Sequence, residues 1–146
     1  MLYRLIYTSK PMIELRPGAL SGDFGRVIRD GMRNNLRDGI TGALVHTRCR
    51  FIQLMEGERN TIFRTFCRIL ENPIHEEVAL IEFAPAANRS FTRWTVAGWT
   101  EGRCRADCGP QAPWTDLPPQ ACANLVDRVL ANGIVLAEGW PKAVSA

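Results

Sequence analysis

Three polar side chains fall where the surrounding sequence pattern predicts an apolar core. The stretch "LYRLIYTS" alternates like a half-buried strand, and this alternation places Tyr7 on the same side as Leu5. Asn35 continues the apolar stripe of a predicted helix, and Gln53 lies on the apolar side of another predicted strand. A buried hydroxyl or amide without a hydrogen-bond partner costs roughly a few kcal/mol, so these groups must bind one another or a ligand.

A phenol and two carboxamides at such positions suit the hydrogen bonding of a flat aromatic cofactor. If the three groups meet in one slot between helix and sheet, we predict apolar walls for that slot, formed by Val27, Phe51 and Ile69. An apolar slot with a few convergent polar groups is typical of a cofactor site. The pattern alone leaves open the alternative that each polar group is satisfied separately.

Acid–base catalysis is a second kind of chemistry that the residue types allow. A small enzyme would use Glu56 or Glu58 together with His75 as its acid and base. The pattern positions no nucleophile or third orienting group beside these residues, so we do not expect an enzyme.

The cysteines indicate free thiols rather than disulfides or a metal site. Five cysteines form an odd set in a chain without the pattern of a secreted protein. Cys104 and Cys108 in "CRADC", together with Cys122, would offer zinc three thiolates, but no histidine lies nearby and the spacing is unusual. We therefore expect no metal.

The composition is that of an ordinary globular protein. The 146 residues are 46% hydrophobic and 23% charged, and the net charge of +3 is dispersed along the chain. Without a basic stripe, nucleic acid is not an expected partner. The apolar run at the N-terminus is too short for a signal peptide, and no stretch reaches the length of a membrane span. We expect a cytoplasmic protein that does not bind membranes.

An alternation of strands and helices must position the three polar groups. After the first strand, one predicted helix is capped by Ser21 and ended by Gly39, and a second is capped by Asn60 and ended by Pro73. Two strands around a turn separate the helices, and two strands follow the second helix. The order β-α-β-β-α-β-β predicts an α+β, ferredoxin-like fold with both helices on one face of a mixed five-stranded sheet.

The composition changes near residue 100 toward glycine, proline, cysteine and arginine. Beyond that point only residues 118–132 have the pattern of a helix, which Gly133 would end. We predict that residues 1–100 form the cofactor-binding domain and that residues 101–146 form a helical appendage packed on the other face of the sheet.

Four blocks of sequence together resemble the BLUF family, the small blue-light sensors that bind flavin. The blocks lie within residues 1–100 and read "RLIYTS", "RNNLRDGITGALV", "FIQLMEG" and "RSFTRWTVAGW". The resemblance implies a ferredoxin-like fold with a flavin ring, usually that of FAD, between the two helices. FMN or riboflavin would serve as well, because the predicted slot concerns the ring and not its tail.

The resemblance also implies roles for individual residues. Tyr7 would donate an electron and a proton to the photoexcited flavin, and Gln53 would bridge Tyr7 and the flavin and then rotate or tautomerise. Trp94 would belong to the strand whose environment responds to light. The implied flavin-binding residues are Tyr7, Val27, Asn34, Asn35, Phe51, Gln53, Ile69, Ile74 and His75.

The chain departs from the family pattern at two places. Asn72 and Ile74 stand where the family commonly has charged residues, so the arginine that would contact the polar edge of the flavin is missing there. Val96 stands where the family typically has methionine, and its shorter, stiffer side chain fills less space beside Gln53.

We therefore predict a blue-light photoreceptor without an output domain of its own, which acts on an unidentified partner protein. An exposed sheet edge makes a homo-oligomer the expected state. The alternative is a light-insensitive, flavin-free interaction protein of the same fold, in which Ile74 and Val96 record the loss of flavin.

Overall fold

The computed structural model describes residues 1–12, 22–47, 50–98 and 116–141. The predicted cap Ser21 and the "CRADC" cysteines lie outside these described residues. None of the described helices is long and apolar enough to cross a membrane. The elements in chain order are β1 (Leu2–Pro11), α1 (Gly22–Arg37), β2 (Thr41–Thr47), β3 (Arg50–Glu58), α2 (Arg59–Leu70), β4 (His75–Pro85), β5 (Trp94–Gly98), α3 (Pro119–Asn132) and β6 (Ile134–Gly139).

The strands form one mixed sheet in the order β4-β1-β3-β2-β5-β6. β3 lies between β1 and β2 and is antiparallel to both, whereas β2 and β5 are parallel. Strands that are distant along the chain are thereby adjacent, as the ferredoxin-like arrangement requires. This topology confirms the predicted fold class.

One hydrophobic core fills the space between the sheet and the first two helices. The period-2 alternation of each strand directs every second side chain toward these helices, whose apolar stripes cover them. The buried members of this core are Leu5, Tyr7, Ile28, Ile40, Phe51, Met55, Ile62, Phe66, Trp94 and Val96. The predicted faces of the first, third and fifth strands are therefore confirmed.

A second core lies on the opposite face of the sheet, under α3. The buried side of α3 contributes Cys122, Leu125, Val126 and Val129, which pack against apolar side chains of β1, β2, β3 and β5. The helix has proline in its first turn and ends at Gly133, as the sequence predicts. The predicted helical appendage on the other face is confirmed, while the division of the chain at residue 100 stays a prediction.

The sheet has six strands instead of the predicted five. β6 pairs antiparallel with β5, and its register sets Trp94 opposite Gly139. Its side chains are half-buried or exposed, so the sequence lacks the clear alternation of a strand with one buried face. The pairing gives hydrogen-bond partners to the edge of β5, which would otherwise be unpaired.

The start of α2 differs from the prediction by two residues. The N-cap is Glu58 rather than Asn60, and the Glu58 carboxylate accepts hydrogen bonds from the Thr61 amide at 2.9 Å and the Thr61 hydroxyl at 3.0 Å. These bonds lower the pKa of Glu58. β3 runs directly into α2 without a loop, so the last strand residue has to serve as the cap.

Candidate functional site

A cavity of about 300 Å³ lies between α1, α2 and the sheet. Its volume falls at the lower end of the range for sites that bind cofactors, roughly 300–1,000 Å³. All ten predicted site residues line it, although they come from six different elements and the turn between α2 and β4: Tyr7, Val27, Asn34, Asn35, Phe51, Gln53, Ile69, Ile74, His75 and Trp94.

A hydrogen-bonded pair, Tyr7 and Gln53, forms part of the sheet wall of the cavity. The two residues are directly opposite in the antiparallel register of β1 and β3, so their side chains lie on the same face. The Tyr7 hydroxyl donates to Oε1 of Gln53. Burial raises the pKa of Tyr7, so its phenol stays protonated and acts as the donor. The pair thus satisfies one polar atom of each side chain, and Gln53 also lines the cavity.

Asn35 brings a second carboxamide to the cavity from the last turn of α1. Its backbone carbonyl accepts from the amide of Ile40 at 2.8 Å, which holds this turn against the start of β2. The residue is only 4% exposed, yet its side chain makes no hydrogen bond to any other described residue. A buried carboxamide that opens into a cavity offers one donor and one acceptor to a ligand. This unsatisfied group fits the polar edge of a flavin ring.

Trp94 and Val96 form the end of the cavity under β5. Trp94 is buried, with only 2% of its surface exposed, and both residues line the cavity. Leu44 of β2 is paired with Val96 on one side and with Gln53 on the other. One strand, β2, separates Gln53 on β3 from Val96 on β5, so a displacement of Gln53 would reach β5 through Leu44.

His75 lines the cavity, but its ring nitrogens bind the protein. Nε2 lies 2.9 Å from the carbonyl oxygen of Ile69, and Nδ1 lies 2.8 Å from Oγ of Ser9. Because a carbonyl only accepts, Nε2 carries a hydrogen and donates it. His75 thereby fastens the C-terminal end of α2 to β1, and neither nitrogen is left for a ligand.

Arg68 is a cavity residue that the sequence analysis missed. It lines the cavity with Asp30, Thr65 and Asn72, and its Nη2 donates to Oγ1 of Thr65 at 3.2 Å. Arg68 follows Thr65 by three positions in α2, so the two side chains share one side of the helix. An exposed arginine on a helix gives the sequence only a weak signal of this position. The cavity therefore has a guanidinium group even though position 74 is isoleucine.

The residues of the alternative acid–base site do not converge. The Glu56 carboxylate accepts from the backbone amides of Ser90 at 2.7 Å and Phe91 at 3.0 Å. Glu58 caps α2, and neither glutamate lines the cavity in which His75 lies. Within the described residues, Glu56, Glu58 and His75 each bind structural partners, and the three side chains do not form a shared reaction site.

Comparison with known proteins identifies the family. Residues 2–97 match BLUF, described as sensors of blue-light using FAD. The chain belongs to the BLUF family. The solved dark-state structure of BlrB, a BLUF protein, aligns with a TM-score of 0.66 and 28% identity over 89% of this chain and 95% of BlrB. The family predicted from the four sequence blocks is thus confirmed.

Other BLUF relatives are much longer proteins. The photoactivated adenylate cyclase subunit beta of Euglena gracilis is 31% identical over 80 residues, which are 54% of this chain and 9% of that protein. BlrP1 of Klebsiella pneumoniae, solved with calcium and cyclic diGMP, aligns with a TM-score of 0.53 and 29% identity over 61% of this chain and 22% of BlrP1. This chain therefore spans only a small part of the length of either relative.

Proposed function

We propose that this BLUF chain is a blue-light photoreceptor that holds the isoalloxazine ring of a flavin between α1 and α2. The observation that carries the proposal is the Tyr7–Gln53 hydrogen bond beside the unsatisfied carboxamide of Asn35, all in one cavity. A closed apolar core would need neither the cavity nor the open amide.

The cavity residues divide between the faces and the edge of a flat ring. Val27 on α1 and Ile69 on α2 both line the cavity and would pack on the faces of the ring. Asn35 would donate to and accept from the polar edge, and Arg68 would donate to a ring carbonyl. Arg68 thus compensates for the charged residue that Ile74 replaces.

The chain's own side chains supply the light response. A bound flavin contributes the absorption of blue light and an excited state that takes up an electron. Tyr7 gives an electron and a proton, and its burial keeps the phenol protonated beforehand. Gln53 presents a donor and an acceptor on one planar end, so turning this amide reverses its hydrogen bonds without changing its volume. Because Gln53 is buried, exchange with water does not average out the reversed hydrogen bonds.

The remaining features of the proposal concern the cofactor, the partner and the assembly. We take FAD as the cofactor because the family description names it. The chain would act in the cytoplasm on a partner protein, as the name of the Euglena gracilis cyclase links a related sensor to an effector. Residues 1–100 would form the sensor and residues 101–146 the appendage, and the sheet edge would support a homo-oligomer.

The purified protein, titrated with FAD in the dark and then lit with blue light, tests this proposal. We expect the visible absorption band to move to longer wavelength and to recover in darkness. Tyr7→Phe should bind flavin but lose the shift, because a phenyl ring lacks the transferable proton and is hard to oxidise. Tyr3→Phe is the matched control, since Tyr3 packs against Phe83 outside the cavity.

Two results would contradict the proposal. A light-induced shift that survives in Tyr7→Phe would overturn the role of the phenol. A colourless protein that takes up no added flavin would favour the alternative of a light-insensitive interaction protein with this fold.

A further inference from the structure

A surface formed by α2 and β4, which we call the α2–β4 surface, exposes three large apolar side chains. Phe63 and Leu70 are seven positions apart on α2, which is two helical turns, so they lie on the same side of the helix. Leu80 of β4 is opposite Tyr7 of β1 in the antiparallel register, so its side chain lies on the sheet face that carries α2. Each of the three is about half exposed, and none of them lines the cavity.

Aromatic contacts within the chain hold one end of this surface in place. The ring of Phe63 stacks on that of Phe83, with centroids 6.1 Å apart and an angle of 22° between the rings. Phe83 also contacts Tyr3, with centroids 5.1 Å apart, and the Arg59 guanidinium lies 5.6 Å from the centroid of the Tyr3 ring. Aromatic residues and arginine are enriched where proteins bind one another. The α2–β4 surface thus has the composition of a protein interface.

The charges of the α2–β4 surface are separated along its length. Arg59 is an exposed cation at the start of α2, and the carboxylate of its neighbour Glu58 is bound to Thr61 as the helix cap. The other end, where α2 finishes and β4 begins, has three exposed carboxylates, those of Glu71, Glu76 and Glu77. Lys10 compensates one of them, since its Nζ lies 3.7 Å from Oε1 of Glu76. The surface is therefore complementary in charge to a reversed copy of itself.

We propose that the α2–β4 surface binds a second copy of this chain across a twofold axis near Cys67, with the two α2 helices antiparallel. The same surface then contacts itself, as in isologous dimers. Because Cys67 lies midway between Phe63 and Leu70, this axis sets Phe63 of one copy beside Leu70 of the other. It also brings Arg59 of each copy to the acidic end of the other. A partner with charge of a single sign would match only one end.

Side chains, rather than backbone pairing, provide this contact. β4 is at one end of the sheet order, and two register shifts interrupt its pairing with β1. Irregularities of this kind make the outer edge of a strand a poor template for a further strand. The proposal thus names a specific surface, beside the β4 edge, for the homo-oligomer.

The size of the surface sets the strength that we expect for the dimer. Three half-exposed large side chains offer roughly 300 Å² of apolar area on each copy, which is within the range of the largest patches on soluble monomers. Two such patches and their polar rims remain below the total of about 1,600 Å² buried in a standard interface. We therefore expect a dissociation constant of roughly 1–100 µM.

Sedimentation equilibrium of the full chain in the dark, at about 1–200 µM, tests this inference. We expect a monomer–dimer equilibrium, and Leu70→Glu should raise the dissociation constant by at least about tenfold, because it buries unpaired carboxylates near the axis. Ile134→Glu is the matched control, since Ile134 is a similarly exposed residue of β6 at the other end of the sheet. Far-UV circular dichroism checks that both variants are folded.

Charge reversal and crosslinking test the orientation of the two copies. Arg59→Glu should raise the dissociation constant by about threefold to tenfold, as expected for exposed charge pairs, and high salt should reduce this difference. Cys67 is exposed, so a short bismaleimide should join two chains through this thiol when they are dimeric. Cys67→Ser should abolish the crosslinked dimer and leave the sedimentation equilibrium unchanged.

Three results would overturn the proposal. A protein that stays monomeric at about 200 µM has no such dimer and leaves the surface to a different protein partner. Equal weakening by Leu70→Glu and Ile134→Glu would show that the dimer forms elsewhere. A crosslinked dimer that persists in Cys67→Ser would contradict the position of the axis. None of these measurements involves flavin, so their failure leaves the photoreceptor proposal intact, and a protein without flavin could still form the dimer.

Discussion

The Tyr7–Gln53 pair shows how an apolar sheet face accommodates polar side chains. Both residues are buried, at 3% and 5% exposure, and a buried polar group is tolerated when it has a partner. Their opposite positions on β1 and β3 provide that partner without any rearrangement of the backbone. The pair is therefore compatible with a stable fold, and its hydrogen bond is the one to which we assign the proposed proton transfer.

Asn35 differs from this pair because its carboxamide has no partner among the described residues. We predict that Asn35→Ala weakens flavin binding by about tenfold, since the ring loses roughly one to two hydrogen bonds. The unfolding free energy should change little, because no internal bond is lost. Riboflavin titration and urea unfolding measure the two quantities.

Asn124→Ala provides the control for this residue. Asn124 is an exposed asparagine of α3 that accepts a hydrogen bond from Gln120, remote from the cavity. It should leave flavin affinity unchanged. Unaltered affinity in Asn35→Ala would show that this amide does not contact the ring.

At the scale of elements, the link between β4 and β5 depends on one buried carboxylate. Glu56 of β3 is 1% exposed and accepts from the amides of Ser90 and Phe91, four and three residues before Trp94. Arg89 donates to the Glu56 carbonyl at 3.1 Å and to Thr41 at 2.8 Å. The strand that carries Trp94 is thus attached to the same strand that carries Gln53.

Replacing Glu56 by glutamine should loosen this link. The amide NH₂ of glutamine cannot accept a hydrogen bond, so one backbone N–H loses its acceptor at a cost of about 1–3 kcal/mol. We expect lower stability in urea and faster hydrogen exchange at Ser90 and Phe91. Glu138→Gln, which breaks the exposed pair with Arg93, should cost about 1 kcal/mol or less. Equal effects of the two substitutions would contradict the assigned role of Glu56.

α3 is a second element with a testable contribution. Leu125 is 5% exposed and belongs to the core on the face opposite the flavin cavity. Leu125→Ala should lower the unfolding free energy by about 2–5 kcal/mol and leave riboflavin affinity unchanged. Urea unfolding should show one cooperative transition, and Asp127→Ala on the exposed side should cost little. Two separate transitions would show that α3 unfolds independently of the sheet.

At the scale of the whole molecule, one buried histidine, His46, makes the stability of the fold depend on pH. The ring of His46 lies on β2 beside Gly98 of β5, where an added Cβ would come within 2.3 Å of the imidazole. Burial lowers the pKa of His46 to about 4 from its ordinary value of 6.5. Protonation of this single side chain therefore opposes folding.

The sign of the pH dependence follows from this pKa. Well above pH 6.5 the histidine is neutral in both states, and as the pH falls from there toward 4 mainly the unfolded chain gains the proton. We predict a loss of up to about 3 kcal/mol of unfolding free energy over this interval. Urea unfolding at several pH values between 4 and 7.5 measures it. His46→Gln should have a flatter pH dependence, and an unchanged slope in that variant would contradict the assignment to His46.

Local patterning determined which side chains share a face. Alternation placed Tyr7 with Leu5 and Trp94 with Val96, and helical periodicity together with Gly133 defined α3. The order of elements then predicted the ferredoxin-like topology, because few connections of strands and helices are allowed. The roles of Tyr7 and Gln53 came from the family resemblance and not from patterning.

The tertiary structure alone decided which faces meet. Tyr7 and Gln53 are 46 residues apart, and their bond depends on the register between β1 and β3. β6 and the Arg68 guanidinium at the cavity were also missed, since an exposed edge strand and an exposed helical arginine have weak local signals. The periodicity of a segment records its own buried side, whereas pairing and cavities arise from packing between segments that are distant along the chain.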